Sequence, residues 1–167
     1  MMRPGFGETV LVIALGNESA SDDGAALRAV AGVQRAEVIL AGRPGPGLLD
    51  LLDAERQTIL VDVVRSGASP GAIFERPLAE LVQATIAERQ TSSHGFGPAE
   101  TLRLGQALGR RLAPGVFVGI EGREFGPGTE LSAPVAAKLD ALRDTIQAWV
   151  DRMGRLGRGQ GDGMGPN

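Results

Sequence analysis

Four apolar runs rich in β-branched residues alternate with stretches of helical character along this chain. They are Thr9–Leu15, Ala36–Ala41, Thr58–Val64 and Val116–Ile120. Thr9–Leu15 is a continuous apolar run without a polar face, which is typical of a buried strand. Strands that alternate with helices over the whole length predict a three-layer α/β/α sandwich with a mostly parallel sheet. A short antiparallel edge strand at Ala72–Glu75 would make the sheet partly mixed, with about five strands.

Helical segments are predicted between these strands from capping residues and apolar spacing. Ser21 and Asp22 are good N-cap residues for a first helix that runs to about Val33. The pattern allows either a helix or an irregular loop at Leu78–Glu88. Further helices are expected at Leu48–Ala54, at Pro98–Leu112, and from Ser132 to Met153 with an apolar stripe of Val135, Leu139, Leu142, Ile146 and Trp149.

The length of 167 residues suits one domain with one substantial core, which we place at residues 1–153. The Gly-rich stretch 154–167 lacks apolar periodicity and is predicted to be a disordered tail. The net charge of −3 gives no reason to expect nucleic acid or an anionic membrane as a partner. No run is long enough to span a bilayer and no secretory leader is recognisable, so a soluble cytoplasmic protein is the expectation.

Two acidic segments and one histidine segment could meet at one edge of the predicted sheet. Gly16–Gly24 follows the first strand and contains Asp22 and Asp23, Asp62 lies inside the third strand, and His94 is the only histidine. Ligands of parallel α/β sheets bind beyond the carboxyl ends of the strands. Because the chain has no cysteine, a metal could be held only by oxygen and nitrogen.

Structural roles compete with functional ones at each of these positions. A helix cap needs only one acid of the pair, and we assign the cap to Asp22. A carboxylate at Asp62 would be buried in an apolar strand at a cost of several kcal/mol unless it is neutralised or liganded, which favours a functional role. The alternative for Asp62 is a carboxylate bonded to backbone amides of the next loop. By itself, His94 is more often an ordinary loop or core histidine than a ligand.

Four motifs in this order resemble those of the endopeptidases that mature nickel–iron hydrogenases. The resemblance covers roughly residues 9–150. The motifs are Gly16-Asn17 with Asp22-Asp23-Gly24, then Ile59–Val64, then Ser92-Ser93-His94-Gly95 with Glu100-Thr101-Leu102, and finally Gly119-Ile120-Glu121 with Phe125-Gly126-Pro127-Gly128 and Leu131-Ser132.

The resemblance implies a protease that removes a C-terminal extension from the hydrogenase large-subunit precursor once nickel has been inserted. It places Asp23, Asp62 and His94 in contact with nickel, as catalytic and metal-contacting residues. The nickel would be supplied by the precursor. The oligomeric state is left open by the sequence, with a monomer as the expectation.

Two positions depart from the family pattern and keep other functions open. Arg43 stands where a threonine is common, and Pro98 stands where a leucine is usual. The alternatives are a non-catalytic nickel-sensing assembly factor that binds a hydrogenase subunit, and a different metal-dependent hydrolase on the same fold. A nucleotide site is not expected, because Gly42–Gly47 has neither the Gly-x-Gly-x-x-Gly spacing nor a P-loop lysine.

Overall fold

A five-stranded sheet forms the centre of the computed structural model, which describes residues 9–83 and 97–159. The strands are β1 (Val10–Leu15), β2 (Ala36–Gly42), β3 (Thr58–Val64), β4 (Ile73–Pro77) and β5 (Gly115–Glu121). Their order across the sheet is β2-β1-β3-β5-β4. Strands β1, β2, β3 and β5 pair in parallel, and β4 pairs antiparallel with β5 at the edge. The predicted mixed, mostly parallel sheet is confirmed.

Helices cover both faces of this sheet. They are α1 (Ala25–Ala29), α2 (Leu48–Leu51), α3 (Leu78–Gln83), α4 (Pro98–Ala107), α5 (Ala133–Ala136) and α6 (Leu139–Gly159). One apolar cluster joins α1, α5 and α6 to the sheet, and a second joins α2, α3 and α4 to the opposite face. The two clusters make the α/β/α sandwich predicted from the sequence.

The apolar runs of β1 and β3 form central strands because helices cover both faces of the sheet there. All six residues of β1 are buried, and so is every residue of β3 except Asp62 and Val64. The carboxyl ends of β1, β2, β3 and β5 lie at the same edge, since these strands are parallel. The loops that follow Leu15, Gly42 and Val64 therefore meet there.

Several predicted helix boundaries are wrong. The first helix does not begin with a cap at Ser21 or Asp22: Ser21–Gly24 form a 3-10 turn without a side-chain cap, and α1 ends at Ala29 rather than near Val33. Helix α2 is shorter than predicted, and α4 ends at Ala107, two residues before Gly109 takes a left-handed φ of 76°.

The C-terminal region also differs from its prediction. The expected single helix is divided at residues 137–138 into α5 and α6. Its apolar stripe packs on the core as predicted, with Leu142 and Ile146 fully buried. Helix α6 continues to Gly159, so the tail boundary predicted at residue 154 does not coincide with the helix end.

Some predictions fall outside the described residues, namely those on residues 84–88, on His94 and on residues 160–167. Over the part of the chain that is described, no helix has the length and apolar character needed to cross a bilayer.

Candidate active site

A cavity of about 210 Å³ opens at the carboxyl edge of the sheet, on the face covered by α2 and α4. Its lining includes Gly16, Asp23, Gly42, Arg43, Asp62 and Thr101. These residues come from the loop after β1, the end of β2, strand β3 and helix α4. Two of the three residues predicted for the metal site, Asp23 and Asp62, therefore face one cavity.

Asp23 is held in place by a tight loop after β1. Its carbonyl oxygen accepts a hydrogen bond of 3.1 Å from the amide of Asn17, and its own amide donates to the carbonyl of Ala20 over 3.1 Å. Gly16 has a φ of 131°, and a Cβ at this position would lie 1.9 Å from the Asp23 carbonyl oxygen. Only glycine allows this approach, which brings the buried Asp23 side chain beside the end of β1.

Asp22 faces away from the cavity and binds the chain that follows β5. Its carboxylate accepts hydrogen bonds from the backbone amides of Arg123, Glu124 and Ser132 and from the Ser132 hydroxyl, at 2.7–2.9 Å. Burial raises the pKa of Asp22, but these four hydrogen bonds outweigh burial and hold the pKa below its usual value. The predicted capping role is therefore wrong, because the carboxylate satisfies distant amides instead of a local helix end.

Ser21 fixes the same loop to the segment Phe125–Gly128. Its amide donates to the carbonyl of Gly128 over 2.8 Å, and its hydroxyl donates to the carbonyl of Gly126 over 2.9 Å. Ser21 takes a left-handed φ of 50°, a conformation that a non-glycine residue rarely adopts. The loop that presents Asp23 is thus stabilised from behind by the chain after β5, a role that the sequence analysis missed.

Glu121 has a similar supporting role at the end of β3. This buried carboxylate accepts hydrogen bonds from the amides of Ser66 and Gly67 and from the Ser66 hydroxyl, at 2.7–3.0 Å. These bonds fix the loop that follows the strand bearing Asp62. Its position in the final strand motif was visible in the sequence, but its partners were not.

Asp62 occupies β3 with its carboxylate only partly exposed. Its pKa is raised to about 7, mainly by burial. The hydrogen bond from the Val63 amide and the charge of Arg43 lower this pKa, and the charge of Asp23 raises it. The Val63 amide donates to Oδ1 over 2.8 Å. Because that bond does not compensate for burial, this carboxyl group can hold or release a proton near neutral pH.

Arg43 reaches Asp23 from the end of β2. Its Nε and Nη2 atoms both donate to Oδ2 of Asp23, over 3.1 and 2.5 Å. Arg43 departs from the family pattern, and its ion pair with Asp23 was not predicted from the sequence. Local sequence patterns gave no signal for it, because the pair depends on β2 lying beside β1 in the sheet.

His94, the third predicted residue, lies outside the described residues, so its approach to Asp23 and Asp62 stays a prediction. Among the residues that are described, no three acidic or histidine side chains gather closely enough to hold a metal ion. A larger cleft of about 850 Å³ lies at the opposite edge of the sheet. It is lined by Arg35 and Asp151, which form an ion pair of 2.6 Å with each other.

The family model described as hydrogenase maturation protease matches residues 25–149. No curated protein sequence matches the chain. Among solved structures, the Escherichia coli hydrogenase maturating endopeptidase HybD is similar to this chain, with a TM-score of 0.71 and 21% sequence identity. The match covers 87% of this chain and 94% of the HybD chain. The [NiFe] hydrogenase maturation protease HybD from Thermococcus kodakarensis is similar to this chain as well, with a TM-score of 0.65 and 28% sequence identity. The match covers 84% of this chain and 97% of the Thermococcus chain. The chain belongs to the hydrogenase maturation protease family.

Proposed function

We propose that this protein is an endopeptidase that removes the C-terminal extension from the large-subunit precursor of a nickel–iron hydrogenase after nickel insertion. The observation that carries the proposal is that Asp23, from the turn after β1, and Asp62, from the neighbouring parallel strand β3, line one cavity in a chain of the maturation protease family. This cavity lies where parallel α/β sheets bind ligands, beyond the carboxyl ends of the strands.

The nickel belongs to the precursor, which is the client of this protease, and is recognised by this chain. Asp23, Asp62 and His94 would contribute two carboxylates and one imidazole, while the precursor supplies the remaining ligands. Oxygen and nitrogen donors suit a divalent first-row cation, and a site without thiolates holds nickel loosely. Weak contact suits an enzyme that tests whether the metal is present and leaves it in the client. The isolated protein should therefore bind nickel weakly and reversibly.

The cleavage is a hydrolysis in which water attacks the scissile carbonyl and the peptide C–N bond breaks. The client's nickel would polarise that carbonyl or acidify the attacking water. A proton leaves the water and is delivered to the departing amine.

The experiment is incubation of the purified protein with a nickel-loaded and a nickel-free precursor, followed by intact-mass analysis. We expect the nickel-loaded precursor alone to lose its C-terminal extension. Asp62→Asn, Asp23→Asn and His94→Ala should each abolish cleavage. Glu18→Gln is the matched control, because it neutralises an exposed acid of the loop that bears Asp23.

The same experiment tests the non-catalytic alternative. The ion pair between Arg43 and Asp23 is the observation that favours an assembly factor, since it engages a carboxylate that cleavage requires. A protein that binds the nickel-loaded precursor in a pull-down without shortening it would be such a factor. Cleavage of unrelated peptides with metal from solution would instead indicate a general metal-dependent hydrolase.

A further inference from the structure

We infer that the guanidinium of Arg43 acts as an internal cation. It holds the carboxylate of Asp23 in the free protein, and the client's metal must displace it. The inference rests on the proposed function for the source of that metal. It assigns Arg43 a role in specificity: the guanidinium keeps free divalent cations out of the cavity, and only a metal delivered with a docked client replaces it.

The geometry of the ion pair is that of a cation bound by a fixed anion. Two guanidinium nitrogens converge on a single oxygen, Oδ2 of Asp23, at 3.1 and 2.5 Å. The Asp23 side chain is 7% exposed, whereas the Arg43 side chain is 40% exposed. The carboxylate is therefore enclosed by protein, and the guanidinium approaches it from the solvent side.

The backbone on either side of this contact is held, so the guanidinium can leave without moving the strand. Gly42 ends β2, and its carbonyl accepts a hydrogen bond of 2.8 Å from the amide of Gly16. Arg43 follows directly, and its long side chain alone spans the distance to Asp23. Release of the carboxylate requires the Arg43 side chain to change its rotamer.

Competition between cations follows from the charges in the cavity. The lining of the cavity contains two acidic residues, Asp23 and Asp62, and one positive charge, the guanidinium of Arg43. A free metal ion that binds Asp23 must break two charge-assisted hydrogen bonds and then lie near a positive side chain. A metal carried by a client can overcome this cost because the rest of the client surface contributes to binding.

Calorimetric titration of Ni²⁺ into the isolated protein tests this competition. Arg43→Thr should bind Ni²⁺ at least about tenfold more tightly than the unmodified protein, because the competing ion pair is absent. Arg43→Lys keeps the positive charge but loses the two-nitrogen contact with Asp23, so its Ni²⁺ affinity should lie between those of the unmodified protein and Arg43→Thr. Arg111→Thr is the matched control, since Arg111 forms an exposed ion pair with Glu55 and does not line the cavity. It should leave Ni²⁺ binding unchanged.

A double variant separates competition from indirect effects. If Arg43 acts by occupying Asp23, the gain in Ni²⁺ affinity of Arg43→Thr should disappear when Asp23→Asn is added. Circular dichroism shows whether each variant folds, and Arg43→Gln replaces Arg43→Thr if the latter does not. An unchanged or weaker Ni²⁺ affinity in a folded Arg43→Thr or Arg43→Gln protein would overturn the inference. So would a gain that persists in the double variant.

The outcome is independent of precursor cleavage. Tighter Ni²⁺ binding by Arg43→Thr together with failure to cleave any precursor would support the internal cation and contradict the protease. Cleavage of the nickel-loaded precursor without any gain in Ni²⁺ affinity would support the protease and contradict the internal cation.

Discussion

Asp22 and Ser132 are separated by 110 positions in the chain and joined by two hydrogen bonds of 2.7 Å. The Ser132 amide donates to one carboxylate oxygen and the Ser132 hydroxyl to the other. The adjacent Asp23 instead faces the cavity and pairs with Arg43. The two acids of this pair thus have separate roles: one joins two loops, and the other belongs to the candidate active site.

Asp22→Ala should destabilise the protein by about 3 kcal/mol. The substitution leaves three amides and one hydroxyl without their acceptor, and the amide and hydroxyl of Ser132 are buried. Unsatisfied buried donors cost about 1–3 kcal/mol each without being additive. Urea denaturation gives the free energy of unfolding. Ser132→Ala removes only the hydroxyl bond and should cost about 1 kcal/mol. A loss below about 1 kcal/mol for Asp22→Ala would show that this carboxylate does not stabilise the loops.

Gly16→Ala should distort the loop that presents Asp23. A Cβ there would lie 1.9 Å from the Asp23 carbonyl oxygen, and the φ of 131° is unfavourable for alanine. We expect a loss of about 2 kcal/mol or more in the free energy of unfolding, and loss of precursor cleavage. Gly126→Ala is the control, because a Cβ at Gly126 meets no atom within 4 Å. Equal stability of the two variants would contradict the close approach.

Asp62→Asn should stabilise the protein while abolishing cleavage. The pKa of Asp62 is raised from 3.8 to about 7 in the folded state, so the folded state binds the extra proton between these values. The raised pKa of Asp62 stabilises the folded state fully below pH 3.8, and this stabilisation is lost as the pH rises through about 7. The shift corresponds to about 4 kcal/mol at full burial, which partial exposure reduces to about 1–2 kcal/mol.

Thermal or urea unfolding from pH 4 to pH 8 measures this effect. The advantage of Asp62→Asn over the unmodified protein should grow as the pH rises. Asp151→Asn is a control of opposite sign, because hydrogen bonds from Arg35 and Gln147 lower the pKa of Asp151. Its destabilisation should stay constant from pH 4 to pH 8, because the stabilising contribution of Asp151 is fully present above pH 3.8 and is lost only as the pH falls below that value. A pH-independent difference for Asp62→Asn would contradict the raised pKa.

The strands could be predicted because their pattern depends on burial alone. Thr58–Val64 was predicted with the bounds that the structure gives it, since a run buried on both faces contains no ambiguous alternation. Helix ends were predicted less well. The stretch after Ala29 still contains the helix-forming Ala31, but the chain turns at Gly32, which has a left-handed φ of 84°.

The residue types of the candidate site could be predicted from the sequence, but the contacts between these residues could not. Asp23 and Asp62 could be placed at one edge because parallel strands direct their carboxyl ends together. Capping was assigned to Asp22 because local rules consider only the adjacent helix, whereas its partners lie 101–110 residues away. The Arg43–Asp23 ion pair likewise depends on which strands are neighbours, which local sequence patterns do not specify.

A crystal structure of the protein with Ni²⁺ tests the central claim most directly. Arg43→Thr is crystallised alongside the unmodified protein, so that the guanidinium does not compete for Asp23. The account predicts one nickel ion bound by the carboxylates of Asp23 and Asp62 and by the imidazole of His94, at about 2 Å from each donor atom. Nickel bound elsewhere in both crystals, or donor atoms of the three side chains more than roughly 10 Å apart, would contradict it.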